Sequence, residues 1–567
     1  MTNGVRLFSS ASTFTLQFIT NAPAADHVNW SVQDYQGNIR GSGSFAVPAG
    51  AQTSKLLCHA TASGYFALTG TLNNAGGTLP RAGTRPAGIA TFGVLPNVSW
   101  ALPAATFTNQ DQHRFGMQGE NDKPALLEAL GITQTLDWRQ LSNMEPFRAN
   151  SWNPTATQSV ANVDPLYKTG KVSRLVRLDG IPAWASSTGA FTQDTYAPKD
   201  FSYFQGYMAR VGADTETIRK AYFPNMKNNY YQVTWEPQWM DSAANFVSMY
   251  KAVYQGIHST DPNAVVMGVT SPDPGTAGNW GTGYTLRTYA SLGLLNYVDG
   301  ITTHSYYANH VSPAYPPELY DSNVNPYYQH QALDNQLRDL RSEMQSLKPN
   351  MRLWSSEVGV AYDAGITYAS GPSTNQLYAQ AAVAARTHLT VLGEGAQVTY
   401  FFYGSDYPTE VGFGTFFDIV NPQGDFHATT LSPKPEALAF ATMTRIIDGT
   451  QTLGHLNNLP TSVYGYAFQR MGTGQAVTAL WMHNNANWPT STGVYSQTAK
   501  TNYTLTVDSP GTSGKVTVID MMGNPSILPY SNGVITLTLS ETPIYVVSSN
   551  ANVIKANVTA PVGYTGQ

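Results

Sequence analysis

The pattern of apolar and polar positions changes twice along the chain. From residue 1 to about 105, short alternating runs are separated by Gly, Asn and Pro turns. Examples are Phe14-Thr15-Leu16-Gln17-Phe18, Val28-Asn29-Trp30-Ser31-Val32 and Tyr65-Phe66-Ala67-Leu68-Thr69. Period-two alternation bounded by turn residues marks half-buried strands and predicts an N-terminal β-sandwich. From about 106 to 435, short apolar runs alternate with helical stretches such as 332–347 and 376–392. That rhythm predicts parallel βα units. The candidate strands are 114–118, 132–138, 172–178, 231–235, 265–269, 300–304, 352–356 and 397–402. Eight such units predict a (β/α)8 TIM barrel. Beyond about 436 a helical run leads into further short β-type runs, among them Ala476–Trp481, Tyr503–Val507, Lys515–Val518 and Ile544–Val547. The expected fold class is therefore α/β: a barrel at 106–435, flanked by β-sandwich domains at 1–105 and 436–567.

Composition narrows the function classes. Of 567 residues only 12% are charged, and the formal net charge is −5 with no basic run. That argues against nucleic acid or an anionic membrane surface as partner. No apolar run approaches membrane-spanning length. The single cysteine, Cys58, excludes an intrachain disulfide and reads as a core residue. The eleven His show no metal-ligand spacing, so no metal or other cofactor is implied. The start, Met1-Thr2-Asn3-Gly4, is not a signal peptide. The low-lysine, Ser/Thr/Asn-rich composition suggests a secreted bacterial protein without its leader, with a cytoplasmic protein as the alternative.

In a (β/α)8 barrel the active site sits at the C-terminal ends of the strands. There, Glu236 follows the fourth strand in Thr234-Trp235-Glu236-Pro237, and Glu357 follows the seventh in Ser355-Ser356-Glu357-Val358. Paired carboxylates at a barrel mouth are what glycosidic bond cleavage requires. About 5 Å apart, one attacks the anomeric carbon while the other protonates the leaving oxygen. Mutual repulsion separates their proton affinities, so one stays protonated near neutrality. A lone glutamate at a strand end is more often a solvated or salt-bridged side chain. Two at corresponding ends, beside aromatic neighbours, favour chemistry. The 33 Tyr and 11 Trp point weakly the same way, because exposed rings stack on sugars.

From about 110 to 435 the chain resembles a clan A glycoside hydrolase and is most similar to family 39. The resemblance rests on Glu236-Pro237 after strand four, His304-Ser305-Tyr306 after strand six, Glu357 at strand seven, and Pro182-Ala183-Trp184-Ala185-Ser186 after strand three. It implies a retaining glycosidase with Glu236 as acid/base and Glu357 as nucleophile, and a polysaccharide or derived oligosaccharide as substrate. Two positions depart from the clan pattern. Trp235 stands where an Asn would reach the sugar 2-hydroxyl. Phe402 and Tyr403 stand near the place of a strand-eight Trp.

The remaining candidates follow by position, each with a structural rival. Tyr306 is placed to hold the nucleophile, or is a rim residue. His304 binds a sugar hydroxyl, or is fixed by core hydrogen bonds. Arg139 neutralises Glu357, or serves a structural salt bridge. Trp138, Trp184, Trp235 and Tyr362 offer stacking faces, or pack in the barrel, and Phe402 is a candidate platform beneath the reacting sugar. Asp137 and Asp179 read as structural. Two other functions stay open: a carbohydrate-binding protein with decayed catalytic machinery, and a polysaccharide lyase.

Overall fold

The computed structural model describes residues 5–9, 13–74, 90–98, 112–120, 123–152, 168–270, 285–307, 314–319, 332–362, 372–406, 412–418, 431–484 and 495–566. Eight parallel strands close into a barrel. In chain order they are β1 (Phe115–Met117), β2 (Gln134–Trp138), β3 (Ser173–Arg177), β4 (Tyr230–Gln232), β5 (Val265–Gly268), β6 (Gly300–His304), β7 (Arg352–Val358) and β8 (Val398–Phe401). All eight expected strands are present. Helices such as Phe201–Tyr222, Ala243–His258, Leu333–Leu347 and Thr374–Gly393 form the outer layer. Among the described residues no helix is long and apolar enough to cross a membrane.

Alternation decides what enters the barrel. Leu136, Leu175, Tyr230, Val265, Met267, Trp354, Val398 and Tyr400 form one buried cluster, to which Trp235 belongs. Their sequence neighbours Val176, Tyr231, Val266, Leu353 and Phe401 pack in the larger core outside the strands. Gly116 on β1 has a steric reason: a Cβ there would lie 2.4 Å from the Tyr400 ring. Carried one step further, the same parity places Gln118, Trp138, Arg177, His304 and Phe402 on the inward face at the C-terminal ends.

Two strands end differently from expectation. Regular pairing of β4 stops at Gln232 rather than continuing to Trp235, so Glu236 stands on a loop. β7 runs on to Val358, with Glu357 inside it. Its pairing slips by one residue, because Thr303 faces Ser355 while His304 faces Glu357. Simple alternation from inward-facing Trp354 would send Glu357 outward. The bulge turns it into the barrel mouth, as bulges beside active sites commonly do.

On the N-terminal side, a five-stranded sheet and the antiparallel ribbon Thr13–Ala22 with Gly50–His59 share the cluster of Phe8, Phe14, Phe92 and Val94. On the C-terminal side, a seven-stranded sheet and the ribbon Thr501–Thr506 with Val534–Leu539 share Leu480, Met482, Leu505, Leu537 and Val546. The expected boundary near residue 105 lies outside the described residues. Helix Pro435–Ile447 packs against helices Pro124–Leu130 and Thr374–Gly393, in the outer layer of the barrel.

A buried charge cluster ties the barrel to the C-terminal sheets. Glu541 accepts hydrogen bonds from Arg386 (2.6 Å) on helix Thr374–Gly393 and from Tyr495 (2.7 Å), and pairs with His483 at 3.0 Å. Burial alone would raise its carboxyl. The His483 bond and the Arg386 charge outweigh burial and hold it at about 2, against an ordinary 4.5. A carboxyl depressed on folding adds stability above its unfolded value and loses it as pH falls toward its folded value. Glu541→Gln should therefore lower the melting temperature near pH 6, by removing roughly 3–5 kcal/mol of buried pairing. Melts across the pH range should show this gap closing between about pH 4.5 and pH 2. A gap that stays constant over that range would contradict this role.

Candidate active site

Glu357 stands enclosed at the barrel mouth, with its side chain 10% exposed. Three donors from three strand ends hold it. Gln118 Nε2 donates to Oε2 at 2.8 Å, and Trp235 Nε1 donates to the same oxygen at 3.1 Å. The Tyr306 hydroxyl donates to Oε1 at 3.1 Å. Such bonds replace the hydration that a buried carboxylate loses. Among the described residues, the basic side chain within ion-pair reach of Glu357 is His304, at 3.9 Å.

Glu236 is the open member of the pair, with its side chain 47% exposed. Its Oε1 shares a 2.7 Å hydrogen bond with His304 Nδ1. His304 is fully buried, with its ring edge-on to Trp235 at 4.7 Å. One donor atom from each of Glu236, His304 and Glu357 lies within 4.8 Å of the other two. Such a group is compact enough to hold a cation. Its members come from three separate strand ends, so no local ligand spacing marks it. The arrangement brings one solvent-accessible carboxyl and one shielded carboxyl together at the barrel mouth, with an oxygen of each within 4.8 Å.

The loop carrying Glu236 is fixed by Asp194. One carboxylate oxygen accepts from the backbone N–H of Trp235 at 2.6 Å and of Glu236 at 3.1 Å. Asp194 itself has φ +55°. Burial, then the nearby charge of Asp179, push its carboxyl well above the usual range, against the pull of the two N–H groups. Below it, Arg177 lies 4.1 Å over the Trp235 ring and grips Asp179 through two bonds of 2.5 and 2.8 Å. Burial opposes the Arg177 charge, but Asp179 more than offsets that, so its guanidinium is held above its ordinary value.

Three expected roles are corrected. Arg139 does not reach Glu357. It follows inward-facing Trp138 in the alternation and so points outward, donating to Asp137 at 2.9 Å and Asp214 at 2.6 Å. Arg177, on the inward parity of β3, is a cation that does lie inside the mouth. Tyr362 is 3% exposed, packs with Leu377 and Phe417, and has the Lys434 ammonium 4.9 Å over its ring. It offers no open stacking face. Trp235 is also buried, with Arg177 on its face, and its contribution is the indole N–H. Trp138 is half-buried beside Arg177, at 5.7 Å. Trp184 is half-buried and donates to the Glu145 carbonyl at 2.8 Å. Phe402 is half-buried among Tyr306, Tyr403 and Phe413.

Gln118, Arg177 and Asp194 escaped the sequence reading. Strand parity would have found the first two. Asp194, in a loop far from Glu236 in sequence, carries no pattern.

A barrel with two convergent carboxylates at its mouth is the layout of a glycosidase site. No protein-family model matches the chain, and no curated protein matches it in sequence. Among solved structures it is similar to a family 39 glycoside hydrolase from the gut symbiont Bacteroides cellulosilyticus WH2. The identity is 16%, the TM-score 0.65, and the match covers 96% of this chain and 99% of that one. A glucosidase from Croceicoccus marinus matches at 11% identity and TM-score 0.45, over 78% of this chain and 96% of that one. A family 44 xyloglucanase from Paenibacillus polymyxa matches at 12% identity and TM-score 0.41, over 80% and 97%. The chain thus has the fold of the family 39 enzyme along nearly its whole length.

Asp194→Ala should leave two backbone N–H groups unpaired and release the Glu236 loop. Thermal melts should show a loss of about 2–3 kcal/mol. Turnover should fall by more than KM rises; unchanged turnover would contradict the role. Arg139→Met should lower the melting temperature yet leave the pH–rate profile in place, because its partners lie outside the mouth. A displaced acidic limb would return Arg139 to the site.

Proposed function

We propose that the protein is a retaining glycoside hydrolase acting on a polysaccharide or an oligosaccharide derived from one. The observation that carries this reading is the close approach of Glu236 and Glu357, whose carboxylate oxygens come within 4.8 Å. That separation suits direct attack and falls short of the gap of about 6.5–9.5 Å across which an inverting enzyme seats its water. The fold shared with the family 39 enzyme supports it.

In double displacement one carboxyl enters with the proton and its partner enters charged. The difference in environment assigns it. Glu357, held by three donors, is the charged nucleophile, and Glu236 carries the proton. Glu357 attacks the anomeric carbon as Glu236 passes its proton to the leaving oxygen. This forms a glycosyl ester on Glu357. Glu236, now ionised and open to solvent, takes a proton from water, which displaces Glu357. His304 keeps Glu236 oriented through both steps. Trp235, the departure that suggested decayed machinery, serves this scheme by donating to the nucleophile.

Wild type should hydrolyse at least one member of an array of aryl β-glycosides and polysaccharides, and proton NMR should show the first-formed product with retained configuration. Glu357→Ala should lower turnover by about 10⁴-fold or more, in line with loss of a nucleophile that acts with its partners as a unit. Inverted product, or turnover undiminished in Glu357→Ala, would sink this assignment.

A further inference from the structure

Eight large apolar side chains stand exposed among the described residues, and three of them lie on consecutive loops at the C-terminal ends of the barrel strands. Phe147, Phe191 and Met240 are 88%, 57% and 70% exposed. They lie on the loops that follow β2, β3 and β4. Single exposed apolar residues are ordinary. These three are joined by the loops that carry them. The Met240 N–H donates to the Thr195 carbonyl at 2.8 Å, and Ser142 N–H to the Gly180 carbonyl at 3.2 Å. Thr192, next to Phe191, pairs back onto Ile181. On the loop after β3, half-buried Trp184 donates to the Glu145 carbonyl, two residues before Phe147, and packs edge-on against Tyr203 at 5.4 Å.

The same loops hold the acid/base. Asp194, in the loop of Phe191, binds the Glu236 N–H, and Met240 lies just beyond Glu236 in the next loop. The leaving oxygen receives its proton from Glu236. Whatever that oxygen carries must therefore leave the site on this side. Exposed polar residues, Arg148, Gln193 and Gln238, neighbour the apolar ones along these loops. A sugar ring, with a C–H face and a rim of hydroxyls, matches such an interrupted surface. An acyl chain or a protein partner would call for a continuous apolar patch.

We propose that Phe147, Trp184, Phe191 and Met240 form a ledge that binds the leaving-group sugars of a glycan chain, so that the preferred substrate continues past the cleaved bond. The inference rests on Glu236 being the acid. The test compares wild type with the Phe147→Ala/Phe191→Ala double variant, whose replaced side chains are exposed and whose folding a thermal melt confirms. Three substrates of the same sugar and anomer are used: an oligosaccharide, the octyl glycoside and the glycosyl fluoride. Fluoride leaves without touching the ledge.

The expected result is a fall in kcat/KM of at least about tenfold on the oligosaccharide, equivalent to 1.4 kcal/mol, with less than a twofold change on the fluoride. In wild type, kcat/KM should also rise with the number of sugars beyond the cleaved bond, and the double variant should flatten that rise. Equal loss on all three substrates, or loss on none, would overturn the ledge. A loss confined to the octyl glycoside would overturn it in favour of a lipid-like leaving group. Wild type that cleaves the fluoride but not the oligosaccharide would overturn the ledge and leave the two-carboxylate reading standing. Wild type that cleaves none of them would overturn both.

Discussion

The site depends on keeping a carboxylate in place where water scarcely reaches it. Glu357 has no arginine or lysine bonded to it among the described residues. Its stability comes from three directed hydrogen bonds, each from a different strand end. Neutral donors suit a nucleophile better than a tight ion pair. They hold the geometry, and in the proposed mechanism they compete less for the lone pair that attacks. A bonded guanidinium would hold the same charge more firmly and blunt its attack. Positive charge is kept at one remove, in Arg177 beneath the Trp235 ring.

The rest of the mouth follows from that need. The β7 bulge turns Glu357 inward; without it the carboxylate would face the helices. Asp194 bends the chain after β4 so that Glu236 comes close while staying open to solvent. Trp235 fills the space between, with its ring among the barrel aromatics and its N–H on Glu357. His304 closes the arrangement, since it bonds Glu236 and stands 3.9 Å from Glu357. Each of these contacts comes from a different part of the chain, and the closed barrel is what brings them together.

The barrel was legible because its signal is local. Apolar runs such as Val172–Leu178 and Val265–Val269, set between helical stretches, can be read without knowing what they touch. Glu236 and Glu357 were legible because their strand number fixes where they emerge. Side-chain direction was less so. Arg139 was misassigned although its neighbour Trp138 already occupied the inward parity, and Arg177 was overlooked on the same ground. Tyr362 failed for another reason, since its burial depends on Phe417 and Lys434, far away in sequence. The β7 slip and the Asp194 contact arise from pairing and loop packing, which leave no local trace. In the flanks, alternation marked the strands, but it did not reveal which of them pair into ribbons apart from the larger sheets.

The central claim is that Glu357 forms a covalent bond to the sugar. The most direct measurement is intact-protein mass spectrometry with a 2-deoxy-2-fluoro glycoside bearing a good leaving group, followed by peptide mapping. The sugar should be the one that the wild-type enzyme releases. The fluorine slows the second step more than the good leaving group slows the first, so the intermediate should accumulate. The account predicts a single added glycosyl mass, carried by the peptide containing Glu357 and lost when excess acceptor restores turnover. Inactivation with the label on another residue, or steady turnover of the natural substrate with no adduct formed, would contradict it.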